Sequence, residues 1–210
     1  MTITAAAQSA NTREALVRRG ILLSYATILY NSLEAIVALV AGILAGSVAL
    51  VGFGFDSVIE VTASVAAQWR LRSDLHDDRR ERAELWTMRI VGACFLGLAV
   101  YIMVDATGTL WQQRAPDRSR LGIAVLALSV IVMPLLARSK KKVALALTSG
   151  ALEAEAAQTS LCAYLSVIGL SGVALNAALG WWWADPVAAL IMVPIIAKEG
   201  IEGIRARECC

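Results

Sequence analysis

Residues 47–70 read SVALVGFGFDSVIEVTASVAAQWR. The run is apolar for long enough to form a membrane helix, since a hydrocarbon core of about 30 Å asks for roughly 20 residues. Yet it carries Asp56 and Glu60 near its middle. An ionisable group at that depth is expensive unless it faces a cavity or finds a partner. The two acids are four residues apart, so both carboxylates lie on one face of the helix. Two anionic oxygens aimed at one point suit a desolvated divalent cation; the plainer alternative is a pair of carboxylates bonded to neighbouring helices.

Working outward, five more apolar stretches of similar length occur, over residues 20–44, 86–110, 119–137, 149–178 and 182–204. Hydrophobic residues make up 58% of the 210, and the mean hydropathy is +0.66. That is more apolar surface than a soluble domain of this size could hide from water. The expected fold is an all-α membrane protein with six transmembrane helices. The turn around Gly46 separates the first two, and Gly180 with Trp181, Trp182 and Trp183 separates the last two, where three tryptophans fit an interfacial belt.

Basic residues fix the expected orientation. Arg13, Arg18 and Arg19 precede the first helix, Arg70, Arg72, Arg79, Arg80 and Arg82 follow the second, Arg138 and Lys140 to Lys142 follow the fourth, and Arg205 and Arg207 follow the sixth. These ends should face the cytoplasm, which puts both termini there. The chain then divides into a cytoplasmic segment 1–19, a six-helix transmembrane domain 20–204 and a short cytoplasmic tail 205–210. The charged stretch from Arg70 to Glu84 and the basic run Lys140 to Lys142 read as solvated loops. A multi-pass protein of the cell membrane, in a bacterium the inner one, is the expected setting. The net charge of +2 gives no nucleic-acid footprint. Of the four cysteines, Cys94 and Cys162 lie inside apolar stretches, so reduced thiols are expected instead of a disulfide framework.

The fifth stretch offers a second set of donors. In Glu153-Ala154-Glu155-Ala156-Ala157-Gln158-Thr159-Ser160-Leu161-Cys162, Gln158 and Cys162 are again four apart, and Glu155 lies on the same side one turn earlier. A thiolate from Cys162 with oxygens from Asp56, Glu60 and Gln158 would make a four-coordinate site of mixed hardness, acceptable to Zn²⁺ and more welcoming to Cd²⁺. Taken alone, a buried cysteine is more often a small hydrophobe.

The setting Phe-Asp-Ser-Val-Ile-Glu-Val-Thr-Ala-Ser over 55–64, the segment 153–162, and Ala-Asp-Pro-Val-Ala-Ala over 184–189 together resemble the cation diffusion facilitator family. The resemblance covers nearly the whole six-helix chain. It implies a transporter, not an enzyme: a homodimer in which divalent metal efflux is driven by inward proton flow, with no cofactor beyond the transported Zn²⁺ or Cd²⁺. It also implies a site shared by the second and fifth helices, carried over here to Asp56, Glu60, Gln158 and Cys162. The family usually has His and Asp where this chain has Gln158 and Cys162, and Asp or a close relative where it has Glu60. Typical members continue into a soluble metal-binding domain, whereas this sequence ends at Arg207-Glu208-Cys209-Cys210, so a dimer is expected to rest on the membrane helices.

Secondary candidates are Glu155 as an alternative ligand, Asp74 and His76 in the loop after the second helix, and the vicinal thiols Cys209 and Cys210 as a soft-ion trap. Asn31, Glu34, Asp105 and Asn176 are further polar residues at membrane depth, of the kind interhelical hydrogen bonds explain. Asp185 is expected to cap the sixth helix, with Pro186 in its first turn. Two rivals to export of divalent ions stand: a membrane metal-binding modulator or sensor without transport, and a small proton-coupled exporter of organic cations. With aromatics at 6% and two carboxylates matched to a thiol, the pattern favours metal over organic cations.

Overall fold

A computed structural model describes residues 2–72, 77–147 and 150–205, with side chains described except at 2–12, 66–67, 69–72, 77–85, 87 and 150–151. The secondary structure of these residues is six α-helices: α1 Thr2–Ala45, α2 Val48–Arg72, α3 Asp77–Trp111, α4 Arg120–Leu147, α5 Gly150–Leu179 and α6 Ala184–Arg205. By length and composition, α1 to α5 each contain a stretch able to cross a membrane. The sixth helix holds Lys198, Glu199 and Glu202 in its second half, but it lies along α3, α5 and α2 within the same bundle. The protein is an all-α, multi-pass membrane protein.

Tight turns set the bundle's register. At the end of α1, Gly46 takes φ +64°, its N–H donates to the Ile43 carbonyl, and the Ser47 N–H donates to the Gly42 carbonyl at 3.0 Å. This paired reach-back is a Schellman motif, and it needs a residue without a Cβ penalty at the left-handed position. Ser47 then opens α2 as its N-cap, accepting the Leu50 N–H at 3.2 Å. Gly180, at φ +69°, ends α5 with a single reach-back instead, its N–H donating to the Asn176 carbonyl at 3.0 Å. Ser119 caps α4 by accepting the Gly122 N–H at 3.0 Å.

The second helix is the centre of the fold. It packs against α1, α3, α5 and α6, and 61% of its spanning window is buried, against 28% to 44% for the other four spans. Phe53, Leu50, Ile102, Leu126, Met133, Leu165, Met192 and Ile196 form the fully enclosed core around it. Outward-facing Leu29, Leu33, Ile36, Ile43 and Leu44 leave α1 coated for lipid. The α3–α6 contact is close because glycines line it: a Cβ at Gly92 would stand 2.7 Å from the Gly200 carbonyl oxygen. Small residues let membrane helices approach this way where no hydrophobic force pulls them together.

Three boundaries differ from the sequence reading. The first and third helices begin earlier than expected, at Thr2 and Asp77. The fourth does not stop near 137 but runs on to Leu147, so Lys140 to Lys142 belong to a helix and not to a loop. The reason lies in the spacing of its buried residues, Leu126, Ser129, Met133, Ala137, Lys140 and Ala144. The three- and four-residue steps continue one helical face straight through the basic run.

Candidate functional site

Four helices each turn a polar stripe inward. On α1 the buried residues Ser24, Thr27, Asn31 and Glu34 recur at helical spacing, and on α2 they are Asp56, Ser57, Glu60 and Ser64. The fourth helix contributes Ser129 and Lys140, and the fifth Glu155, Thr159, Cys162 and Ser166. These stripes meet along one polar seam within the apolar bundle.

The half of the seam nearer the Gly46 turn is poor in hydrogen bonds. Ser57 Oγ donates to Glu34 Oε2 at 2.9 Å, and the Cys162 Sγ lies 3.9 Å from the same oxygen. The thiol also neighbours Asp56 and Glu60. Among the described residues, no partner stands in hydrogen-bonding geometry to Asp56 Oδ2, Glu34 Oε1 or Glu60 Oε2, nor to the Tyr30 hydroxyl, the Ser129 hydroxyl or the polar atoms of the Asn31 amide, all of them buried. Native interiors seldom leave such atoms unpaired, and an unpaired buried carboxylate is costlier than an unpaired amide.

The other half is satisfied. Lys140, fully enclosed, donates from Nζ to Glu155 Oε1 at 2.9 Å and to Thr159 Oγ1 at 3.0 Å. The Thr159 hydroxyl donates in turn to Glu60 Oε1 at 2.7 Å, and Ser24 Oγ occupies Glu155 Oε2 at 2.9 Å. Among the described residues, the seam thus holds the carboxylates of Glu34, Asp56, Glu60 and Glu155 against the ammonium of Lys140. In a medium of low dielectric such an excess of acid calls for further cations, whether protons or metal.

A family model described as the cation efflux transmembrane domain matches residues 24–206 of this chain. The chain belongs to the cation efflux family. It also resembles an uncharacterized transporter of Synechocystis, at 29% identity over an alignment 157 residues long that covers 70% of this chain and 49% of that protein. The chain therefore spans about half the length of the curated relative it matches. The family match bears out the resemblance drawn from the motifs of α2, α5 and α6, and the whole seam lies within the cation efflux domain.

Of the residues expected to bind metal, Asp56, Glu60 and Cys162 are buried and share the seam. Gln158 is half-buried at the edge of that face of α5, and none of the described contacts joins it to the acids. Glu155 is buried with both oxygens engaged, by Lys140 and by Ser24. Asp74, His76, Cys209 and Cys210 lie outside the described residues. Among the described side chains, no three Cys, His, Asp or Glu donors stand close enough to grip an ion together. Glu34 and Lys140 are the members of the cation efflux seam that the motif reading ranked low or misplaced. Asp185, expected to cap α6, instead serves α2: it accepts from Ser47 Oγ at 2.5 Å and from the Val48 N–H at 2.9 Å.

Proposed function

We propose that this protein exports divalent transition-metal ions from the cytoplasm in exchange for protons, with Zn²⁺ the first expected substrate and Cd²⁺ the second. The observation that carries the reading is the set of unpaired carboxylate oxygens on Glu34, Asp56 and Glu60 at membrane depth, beside the Cys162 thiol. Carboxylate and thiolate donors together suit Zn²⁺ and Cd²⁺ and would be ill matched to a large organic cation.

In this proposal Asp56, Glu60 and Cys162 are ligands, and Glu34 or Gln158 completes the set. Small rotations of side chains already held on neighbouring helices would bring the donors together. Metal and proton compete for the same lone pairs, so binding an ion displaces protons and protonation releases it. With the site opening alternately to the two sides, that competition alone couples efflux to the proton gradient. The proposal includes a homodimer seated on the membrane helices and both termini in the cytoplasm.

The test is flux of Zn²⁺ and Cd²⁺ into proteoliposomes under an imposed pH gradient, comparing the intact chain with Asp56→Ala. Gradient-dependent flux that the substitution abolishes is the expected result. Flux indifferent to the gradient would remove the proton coupling, and metal that binds without crossing would make the protein a modulator or sensor.

A further inference from the structure

Lys140 stands apart from the basic residues around it. Arg138, Lys141 and Lys142 are exposed on the same helix, whereas Lys140 is 0% exposed and reaches into the seam. Stability alone is a poor reason for this burial. A buried ion pair is often no better than an apolar pair of the same size, because desolvation offsets the attraction. The ammonium has three N–H donors, and two are spent, on Glu155 Oε1 and Thr159 Oγ1. Thr159 passes the contact on to Glu60 Oε1, and Lys140 also acts electrostatically on Glu60. The other Glu60 oxygen is unpaired.

We infer that Lys140 is a tethered cation that competes with the transported metal for Glu60, held back by Glu155 and brought to bear through Thr159. The inference rests on the export reading above. A flexible four-carbon stem carries a compact charge, which can lean toward Glu60 when no ion is bound and withdraw to Glu155 when one arrives. Lys140 is then a positioning residue: it touches no metal, but it limits how tightly the site holds one and so lets the ion leave. Glu155 is its anchor, which accounts for a carboxylate whose two oxygens are both taken by protein groups.

The two partners therefore have opposite signs in a binding experiment. Cd²⁺ affinity is measured by titration calorimetry on the full chain in lipid nanodiscs, with thermal unfolding recorded for each variant. Glu155→Gln keeps a side-chain acceptor for Lys140 but removes its counter-charge, turning the ammonium toward Glu60; Cd²⁺ binding weakens by about tenfold. Lys140→Met with Glu155→Gln removes the competitor without stranding a buried charge; Cd²⁺ binding tightens by about tenfold. Lys140→Arg retains the cation and binds close to the original chain. A merely structural tie would shift unfolding in both variants without opposing changes in affinity. Both variants binding Cd²⁺ within twofold of the original chain, or both moving in one direction, would overturn the inference and leave the export reading intact. If the original chain binds no Cd²⁺ at all, the export reading falls and takes this inference with it.

Discussion

Asp56 and Asp185 are both aspartates buried in the same bundle, and they could hardly be used more differently. Asp185 sits at the Gly46 end of the seam with each oxygen bonded, one to Ser47 Oγ and one to the Val48 N–H. Its carboxylate closes the start of α2, where the helix dipole and free N–H groups favour negative charge. Asp56, about 13 Å further along α2 at 1.5 Å per residue, has no partner in hydrogen-bonding geometry at Oδ2 among the described residues. The contrast separates a carboxylate that holds the fold from one whose bonding capacity the fold leaves for something else.

The sharpest break of that comparison is Asp56→Asn against Asp185→Asn. Removing the Asp56 charge is expected to lower metal flux on the order of 100-fold, the loss of about 2.7 kcal/mol of binding. It should leave the thermal midpoint unchanged or raised, because an uncompensated buried charge is destabilising. Asp185→Asn is expected to lower stability by about 2–3 kcal/mol, since it weakens charge-assisted bonds to two buried donors. Thermal unfolding in detergent reads both; a large drop for Asp56→Asn would place that residue with Asp185 as a structural carboxylate.

A smaller effect distinguishes Glu34 from Gln158. Glu34 comes from α1, is buried, and shares one oxygen with Ser57 while the other is unpaired. Gln158 comes from the motif position on α5 but lies at the edge of the seam, half-buried. Glu34→Gln is therefore expected to weaken Zn²⁺ binding about tenfold, equivalent to roughly 1.4 kcal/mol, and Gln158→Ala about twofold or less. Calorimetric titration with Zn²⁺ decides the order. The reverse order would show that α5 turns about its axis when metal binds and brings Gln158 into the set.

These two residues also show what a sequence can and cannot reveal here. Asp56 and Glu60 were legible because charge within a 20-residue apolar run is costly and needs a purpose, and Cys162 because it follows at helical spacing in another such run. The boundaries of α2, α5 and α6 were legible within two residues because Gly46 and Gly180 punctuate them. Spacing along one helix, however, says nothing about which neighbour its face meets. Glu34 was visible as a polar residue, but its approach to Cys162 across 128 residues of chain is a property of packing. Lys140 was misplaced because a run of three lysines reads as a solvated loop, although the stepping from Leu126 through Met133 and Ala137 already put it on the inner face.

The smallest expected effect tests how the Asp185 end is built. Ser47 Oγ does two things at once: it accepts the Leu50 N–H as the N-cap of α2 and donates to Asp185. Ser47→Ala alone should cost about 1 kcal/mol, the usual loss for an N-cap serine, because the Val48 bond to Asp185 survives. Groups that share a partner do not add. With Asp185→Asn already present, much of what Ser47 contributes has gone, and the second substitution should cost no more than a few tenths of a kcal/mol. Full additivity in that double-mutant cycle would mean that Ser47 and Asp185 cap α2 independently, and that the carboxylate gains its stability from the Val48 N–H alone.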